Sequence, residues 1–232
     1  MNKWQTLARV PTADGTLELR QRGEREFLIT IAGRILMTST ERRSEEALSQ
    51  LGVSTMMELR KRKAPRVLVG GLGMGYTLRA ALDVLPPQAQ VVVAELSAEV
   101  VEWCRGPLSA LSNSALSDAR VKVEIGDVSQ LIRRSAPGAF DVILLDLYEG
   151  PNGATQRRND PFYGRGALLR THAALAPDGV LAVWSEAPDS EFAQRLGETG
   201  FTVSRHRQGH GGRAHFVYLG VREAPRREFV PR

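Results

Sequence analysis

A change of rhythm at Pro65 constrains this chain more than any other feature. Downstream of it, short apolar runs rich in β-branched residues alternate with amphipathic stretches. The runs occupy 66–69, 90–94, 121–125, 140–145 and 179–184, and helical spacing falls between them at 76–85, 98–108, 128–134 and 165–176. Runs with so little internal alternation are buried on both faces, as in a parallel sheet covered by helices. Strand–helix units in series predict an α/β, Rossmann-like doubly wound sheet. The last two β-rich runs, 201–204 and 214–219, are separated by a Gly-rich turn and predict an antiparallel hairpin.

The first forty residues follow a different rule. Thr16-Leu17-Glu18-Leu19-Arg20 alternates with period two, Phe27-Leu28-Ile29-Thr30-Ile31 is β-rich, and turns fall at Arg22-Gly23-Glu24 and Ala32-Gly33-Arg34. A small antiparallel β-meander is expected over 1–40. Residues 41–64 read as a linking helix, with Ala47, Leu48, Leu51, Met56 and Leu59 on one face and Ser44 or Thr40 as caps. Residues 65–223 then form the main domain, and 224–232 a basic tail.

Composition excludes some classes. With 42% hydrophobic and 25% charged residues over 232 positions, the chain can bury a core and is not a disordered polymer. No run approaches the roughly 18 apolar residues of a membrane span, and the N-terminus lacks a signal-like apolar stretch, so a cytoplasmic protein with no membrane partner is expected. The lone Cys104 excludes a disulfide framework. The net charge of +5 is gathered at element ends, Arg60-Lys61-Arg62-Lys63 and the arginines of the tail, with few aromatics between. That pattern reads as a solvated basic rim rather than a nucleic-acid interface.

In an open sheet of this kind, ligands bind beyond the carboxyl ends of the strands. The first run enters Gly70-Gly71-Leu72-Gly73-Met74-Gly75, where glycines let the backbone turn tightly and approach a ligand; a close helix–strand packing turn has the same appearance. The second run ends at Glu95, placed to accept ribose hydroxyls, although a surface Glu looks identical. The third ends at Gly126-Asp127, where an acceptor for an adenine amino group and a helix N-cap are compatible roles. The fourth ends at Asp146, with Glu149 three residues on. Two such carboxylates can bind an amine and take its proton.

His206, His210 and His215 fall within ten positions, but on two strands and a turn without a carboxylate or thiolate. They read as solvated hairpin histidines, and no metal is expected. Cys104 reads as a small buried apolar residue and His172 as a surface or capping residue. Trp184 is either a core aromatic or a wall of an acceptor pocket.

Five parallel strands followed by an antiparallel hairpin resemble the class I S-adenosylmethionine-dependent methyltransferase arrangement more than a nicotinamide dehydrogenase. The residues themselves resemble the spermidine synthase (polyamine aminopropyltransferase) family: 67–75 followed by Thr77-Leu78-Arg79, then Val93-Ala94-Glu95-Leu96, Gly126-Asp127, 140–146 and Ala176-Pro177-Asp178-Gly179-Val180. The resemblance implies that Gly71, Gly73 and Gly75 line the sulfonium ligand, Glu95 holds the ribose and Asp127 the adenine. Asp146 would match the first Asp of the family's Asp-Ser-x-Asp-Pro loop, the base for the attacking amine. It further implies S-adenosylmethionine or its decarboxylated form as co-substrate, a small-molecule amine acceptor and a homodimer.

Departures concentrate in the acceptor half. Met74 stands where the family carries an Asp toward the donor's ammonium; Glu149 replaces the loop's second Asp; and Ser44-Glu45 replaces Tyr-His in the linking helix. The segment 150–163 does not match the usual lid, and Arg157 and Arg158 would favour an anion over a diamine. The expected function is transfer of an aminopropyl-type group from a sulfonium donor to an amine. Methyl or aminocarboxypropyl transfer from intact S-adenosylmethionine, and a non-catalytic nucleoside-binding scaffold, are the alternatives.

Overall fold

Period-two alternation at the N-terminus produces an antiparallel sheet in the computed structural model, which describes residues 3–40, 42–148, 150–151, 160–209 and 214–224. Strands β1 (Gln5–Thr12), β2 (Gly15–Arg22), β3 (Glu26–Ile31) and β4 (Arg34–Thr38) lie in the order β1-β2-β3-β4. Leu17 and Leu19 of β2 are buried with Phe27 and Ile29 of β3, whereas β1 is largely exposed.

Helix α1 (Arg43–Arg60) then lies against β8 and β9 of the main sheet, named below. Its Gly52 admits this approach, since a Cβ there would stand 2.7 Å from Leu144 Cδ2 and 3.0 Å from Ala182 Cβ. The main unit continues with β5 (Arg66–Gly70), α2 (Tyr76–Val84), β6 (Gln90–Glu95), α3 (Ala98–Arg105), β7 (Val121–Ile125), α4 (Val128–Arg134), β8 (Phe140–Leu145), α5 (Arg165–Ala174), β9 (Leu175–Ser185), α6 (Ser190–Glu198), β10 (Thr202–Gln208) and β11 (His215–Arg222). The sheet order is β10-β11-β9-β8-β5-β6-β7. β5 through β9 run parallel, and β11 joins β9 and β10 antiparallel. The doubly wound sheet with its C-terminal hairpin and small N-terminal sheet is therefore present, and its order reverses between β5 and β8.

Several details differ from the sequence expectation. Helix α3 stops at Arg105 because Gly106 caps it and Pro107 follows. Strand β9 begins at Leu175, and Pro177-Asp178-Gly179 forms a kink inside it, with Asp178 at φ 55°, rather than a turn before it. Helix α6 was not anticipated. The Asp189 side chain accepts from Phe192 N–H as its N-cap, and Phe192 and Leu196, one turn apart, are its buried face.

Two apolar clusters fill the two faces of the sheet. One joins α1, α2 and α3 to the inner face of the N-terminal sheet; the other joins α4, α5 and α6. The Arg60–Lys63 run is not simply a solvated rim. Arg62 donates to both oxygens of Asp141 at 3.0 Å, and Arg60 and Arg66 complete a basic ring around this fully buried carboxylate.

Candidate active site

The glycine turn between β5 and α2 is tied to both neighbouring strand ends. Gly71 N–H donates to the Ala94 carbonyl and Asp146 N–H to the Gly70 carbonyl, each at 2.9 Å. Gly71 has φ +87°, and a Cβ there would overlap the Asp146 carbonyl oxygen, so only glycine lets the end of β8 come so close. Gly73, at φ +52°, lies under Met37 of β4, whose Sδ would be 2.9 Å from a Cβ. Gly75 is the N-cap of α2 and abuts Ser112.

Strand β4 thus reaches over the turn. Met37 Sδ accepts from Met74 N–H at 3.2 Å, and the Tyr76 hydroxyl donates to the Ser39 carbonyl at 3.0 Å. The Met74 side chain is itself fully buried in the α1-side cluster, so position 74 contributes packing rather than charge.

Glu95 ends β6 with its carboxylate on this turn. Its Oε2 accepts from Leu72 N–H at 2.8 Å and its Oε1 from Ser97 N–H at 2.9 Å. A carboxylate has about four acceptor positions, so capacity for hydroxyls remains. Asp127 follows β7, whose Ile125 is the register partner of Glu95. Its Oδ1 accepts from Ser129 N–H at 2.7 Å and caps α4, so the N-cap reading is realised. Leu96 is 72% exposed and Ile125 60%. Exposed apolar side chains at adjacent strand ends are a feature of ligand grooves. Sequence reasoning passed over both, although each adjoins a residue or motif it singled out.

Cys104 is buried, as expected, and also braces the turn. Its thiol donates to the Gly73 carbonyl at 3.2 Å, and burial, then the Glu95 charge, push it up to about 12. It is an inert thiol.

On the other side of the turn, Asp146 directly follows β8. The Thr77 hydroxyl, in the first turn of α2, donates to its Oδ2. Burial, and then the negative charge of Glu45, raise this carboxyl to about 7 against the opposing effect of Thr77. A carboxyl that exchanges its proton near neutral pH has the property a general base requires. Glu149, the second expected catalytic carboxylate, lies outside the described residues, as do Arg157, Arg158 and His210.

Tyr163, just before α5, is 4% exposed, and its hydroxyl has no hydrogen-bond partner among the described residues. Burial and the charges of Asp160 and Asp146 raise its pKa. Trp184, near the end of β9, packs against the core and stacks on His215, with centroids 5.3 Å apart; Trp184 Nε1 and His215 Nδ1 have no partner among the described residues. His206 faces Ser204 Oγ at 3.0 Å. His172 neither caps nor stands in solvent: it packs edge-on against Phe201, half-buried, and desolvation lowers its pKa. Among the described residues no three His, Cys, Asp or Glu side chains are placed to hold a metal ion.

Comparison with known proteins bears on this arrangement. The family profile described as the spermine/spermidine synthase domain matches residues 43–195. A polyamine aminopropyltransferase of Clostridium tetani is 32% identical over 123 residues, which are 53% of this chain and 41% of that protein. One from Prochlorococcus marinus is 25% identical over 185 residues, 76% of this chain and 63% of that protein. The chain therefore spans less than two thirds of the length of either relative. Among solved structures, spermidine synthase from Thermotoga maritima superposes with a TM-score of 0.75 at 16% identity, covering 94% of this chain and 73% of the other. A probable spermidine synthase from Corynebacterium glutamicum gives 0.63 at 21%, covering 94% and 79%. At such identities these likenesses establish the fold.

Proposed function

The chain belongs to the spermine/spermidine synthase family, and we propose that it is an enzyme that moves an aminopropyl group from decarboxylated S-adenosylmethionine to a small amine acceptor. One observation carries the reading: Asp146 donates its backbone N–H to the Gly70 carbonyl of the glycine turn at the switch point, which holds its carboxyl, raised by burial and the Glu45 charge, beside that turn. This supports a role for Asp146 as proton acceptor at the glycine turn.

The residues divide the work. The turn of Gly71, Gly73 and Gly75, whose glycines pack against Asp146, Met37 and Ser112, presents its backbone to the donor, Glu95 offers its remaining acceptor capacity to ribose hydroxyls, and Leu96 and Ile125 flank the adenine with Asp127 at its edge. The donor supplies an electrophilic carbon next to a positively charged sulfur. Asp146 removes a proton from the acceptor's ammonium nitrogen, which frees the lone pair for attack. The C–N bond forms as the C–S bond breaks, and sulfur keeps the electron pair as neutral methylthioadenosine. Glu149 belongs to this proposal as the second acidic residue of the loop. So do the division at residues 40, 64 and 223, a homodimer paired through the N-terminal sheet, and a cytoplasmic setting. No helix among the described residues is long and apolar enough to cross a membrane.

The test is release of methylthioadenosine when the protein is mixed with decarboxylated S-adenosylmethionine and a panel of amines. Release that depends on both amine and Asp146 is expected; tight donor binding with no product from any amine would leave only a nucleoside-binding scaffold. A second reading, alkyl transfer from intact S-adenosylmethionine, is motivated by the burial of the uncharged Met74, which removes the reason to prefer the decarboxylated donor. Calorimetry with both donors separates the two, since the first reading requires tighter binding of the decarboxylated form.

A further inference from the structure

We propose that the open cleft between the end of α1 and the α2–β6 connection is a second binding site, one that takes a small organic phosphate. It lies near the amino ends of β5 and β6, whereas Gly70 and Glu95 close those two strands at their carboxyl ends. The site does not depend on the transferase reading.

The cleft has a volume of about 540 Å³, within the range of roughly 300–1,000 Å³ common to small-molecule sites. Lys61, Arg62 and Lys63 line it together with apolar Met57, Ala64 and Pro86, and Gln88 adds an amide. No acidic side chain is among its described lining residues.

Its walls are held from behind. Gln90 N–H donates to the Pro65 carbonyl at 2.9 Å, which ties the two lining segments together. Arg120 donates to the Leu85 carbonyl at 2.9 Å and to the Pro86 carbonyl at 3.5 Å. Arg62 is committed to both oxygens of Asp141 at 3.0 Å. Lys61 and Lys63 form no ion pair among the described residues, so two ammonium groups remain for a ligand.

Two further features single these lysines out. The chain has 31 lysines and arginines, yet only Lys3, Lys61, Lys63 and Lys122 are lysine. Half of the lysines therefore stand in one cleft, where a compact ammonium on a flexible stem meets a phosphate as a point charge. Lys61 also caps α1 with left-handed backbone, at φ 46° and ψ 40°. Glycine adopts that conformation more readily and is the usual residue there. A lysine at this position places its charge in the cleft at a cost in stability.

The ligand class follows from these groups. Two ammonium groups match a phosphate dianion, and Met57 and Pro86 offer apolar surface to an organic body that free phosphate lacks.

NMR of protein carrying isotope-labelled lysine tests this, because each of its few side-chain signals is assigned by substitution. Phenyl phosphate is the probe, with inorganic phosphate as the anion alone and phenol as the body alone. Phenyl phosphate is expected to move the Lys61 and Lys63 signals saturably and to leave Lys3 and Lys122 in place. Inorganic phosphate and phenol should each bind several-fold more weakly. Lys63→Gln should weaken phenyl phosphate several-fold, and Lys61→Gly should do the same while melting at a higher temperature. An equal response of all the lysines, or equal affinity for phenyl and inorganic phosphate, would mean an adventitious ion only and overturn the proposal. Full affinity in folded Lys61→Gly or Lys63→Gln would overturn it as well.

Discussion

Strand β8 carries an aspartate near each end, and the fold treats the two in opposite ways. Asp141 has no exposure and is ringed by Arg60, Arg62 and Arg66, with Arg66 N–H donating a further bond at 2.8 Å. Asp146 accepts from the Thr77 hydroxyl and feels the negative charge of Glu45. Helix α1 spans both environments: Arg60 in its last turn helps neutralise one carboxylate, and Glu45 in its first turn crowds the other. A charge buried for architecture is compensated, because an unpaired buried ion is costly. Among the described residues no ion pair answers Asp146, which suits the proposed role of a carboxyl whose proton moves.

Exchanging the two treatments should produce distinct failures. The largest effect is expected from Asp146→Asn: turnover falls about 10²–10⁴-fold, while methylthioadenosine binding, read by calorimetry, is nearly unchanged. The same variant gains stability. With a folded pKa of about 7 against an ordinary 3.8, the native state holds the Asp146 proton to higher pH than the unfolded chain. Wild-type stability therefore falls as pH rises between those values. Urea unfolding at pH 8 should find the Asn variant more stable by on the order of 2 kcal/mol, with the difference vanishing near pH 4.

Asp141→Asn works in the other direction. It leaves three guanidinium groups around a neutral side chain and should cost about 3 kcal/mol in urea unfolding, with activity per folded molecule retained. Gly71→Ala comes next. Strain at positive φ and overlap with the Asp146 carbonyl should cost about 1–2 kcal/mol and weaken nucleoside binding about tenfold. Arg62→Gln is the smallest, about 1 kcal/mol, because that side chain is 38% exposed and two arginines remain on Asp141.

The two ends of β8 also differ in how far the sequence announces them. The parallel core was legible because runs such as Val67-Leu68-Val69 carry no alternation, and the residues proposed for the donor half drew notice because glycines and Glu95 stand where strands end. Asp146 was legible by the same rule. Position 45 stood out only as a departure in the acceptor half; that Glu45 is buried follows from the packing of α1. Asp141 lay inside an apolar run, and the arginines that answer it lie at least 75 positions away in sequence. Met74 looked like a lost ligand contact, whereas its side chain faces the core. Helix α6 escaped because its buried face is only Phe192 and Leu196.

In the proposed function the glycine turn and Glu95 clasp an adenosyl group with Asp146 at its reactive end. A crystal structure with methylthioadenosine bound decides it. The ribose hydroxyls should lie on the Glu95 carboxylate, the adenine between Leu96 and Ile125, and the sulfur on the Asp146 side of the glycine turn. A nucleoside seated elsewhere, with Glu95 still occupied only by Leu72 and Ser97, would contradict it.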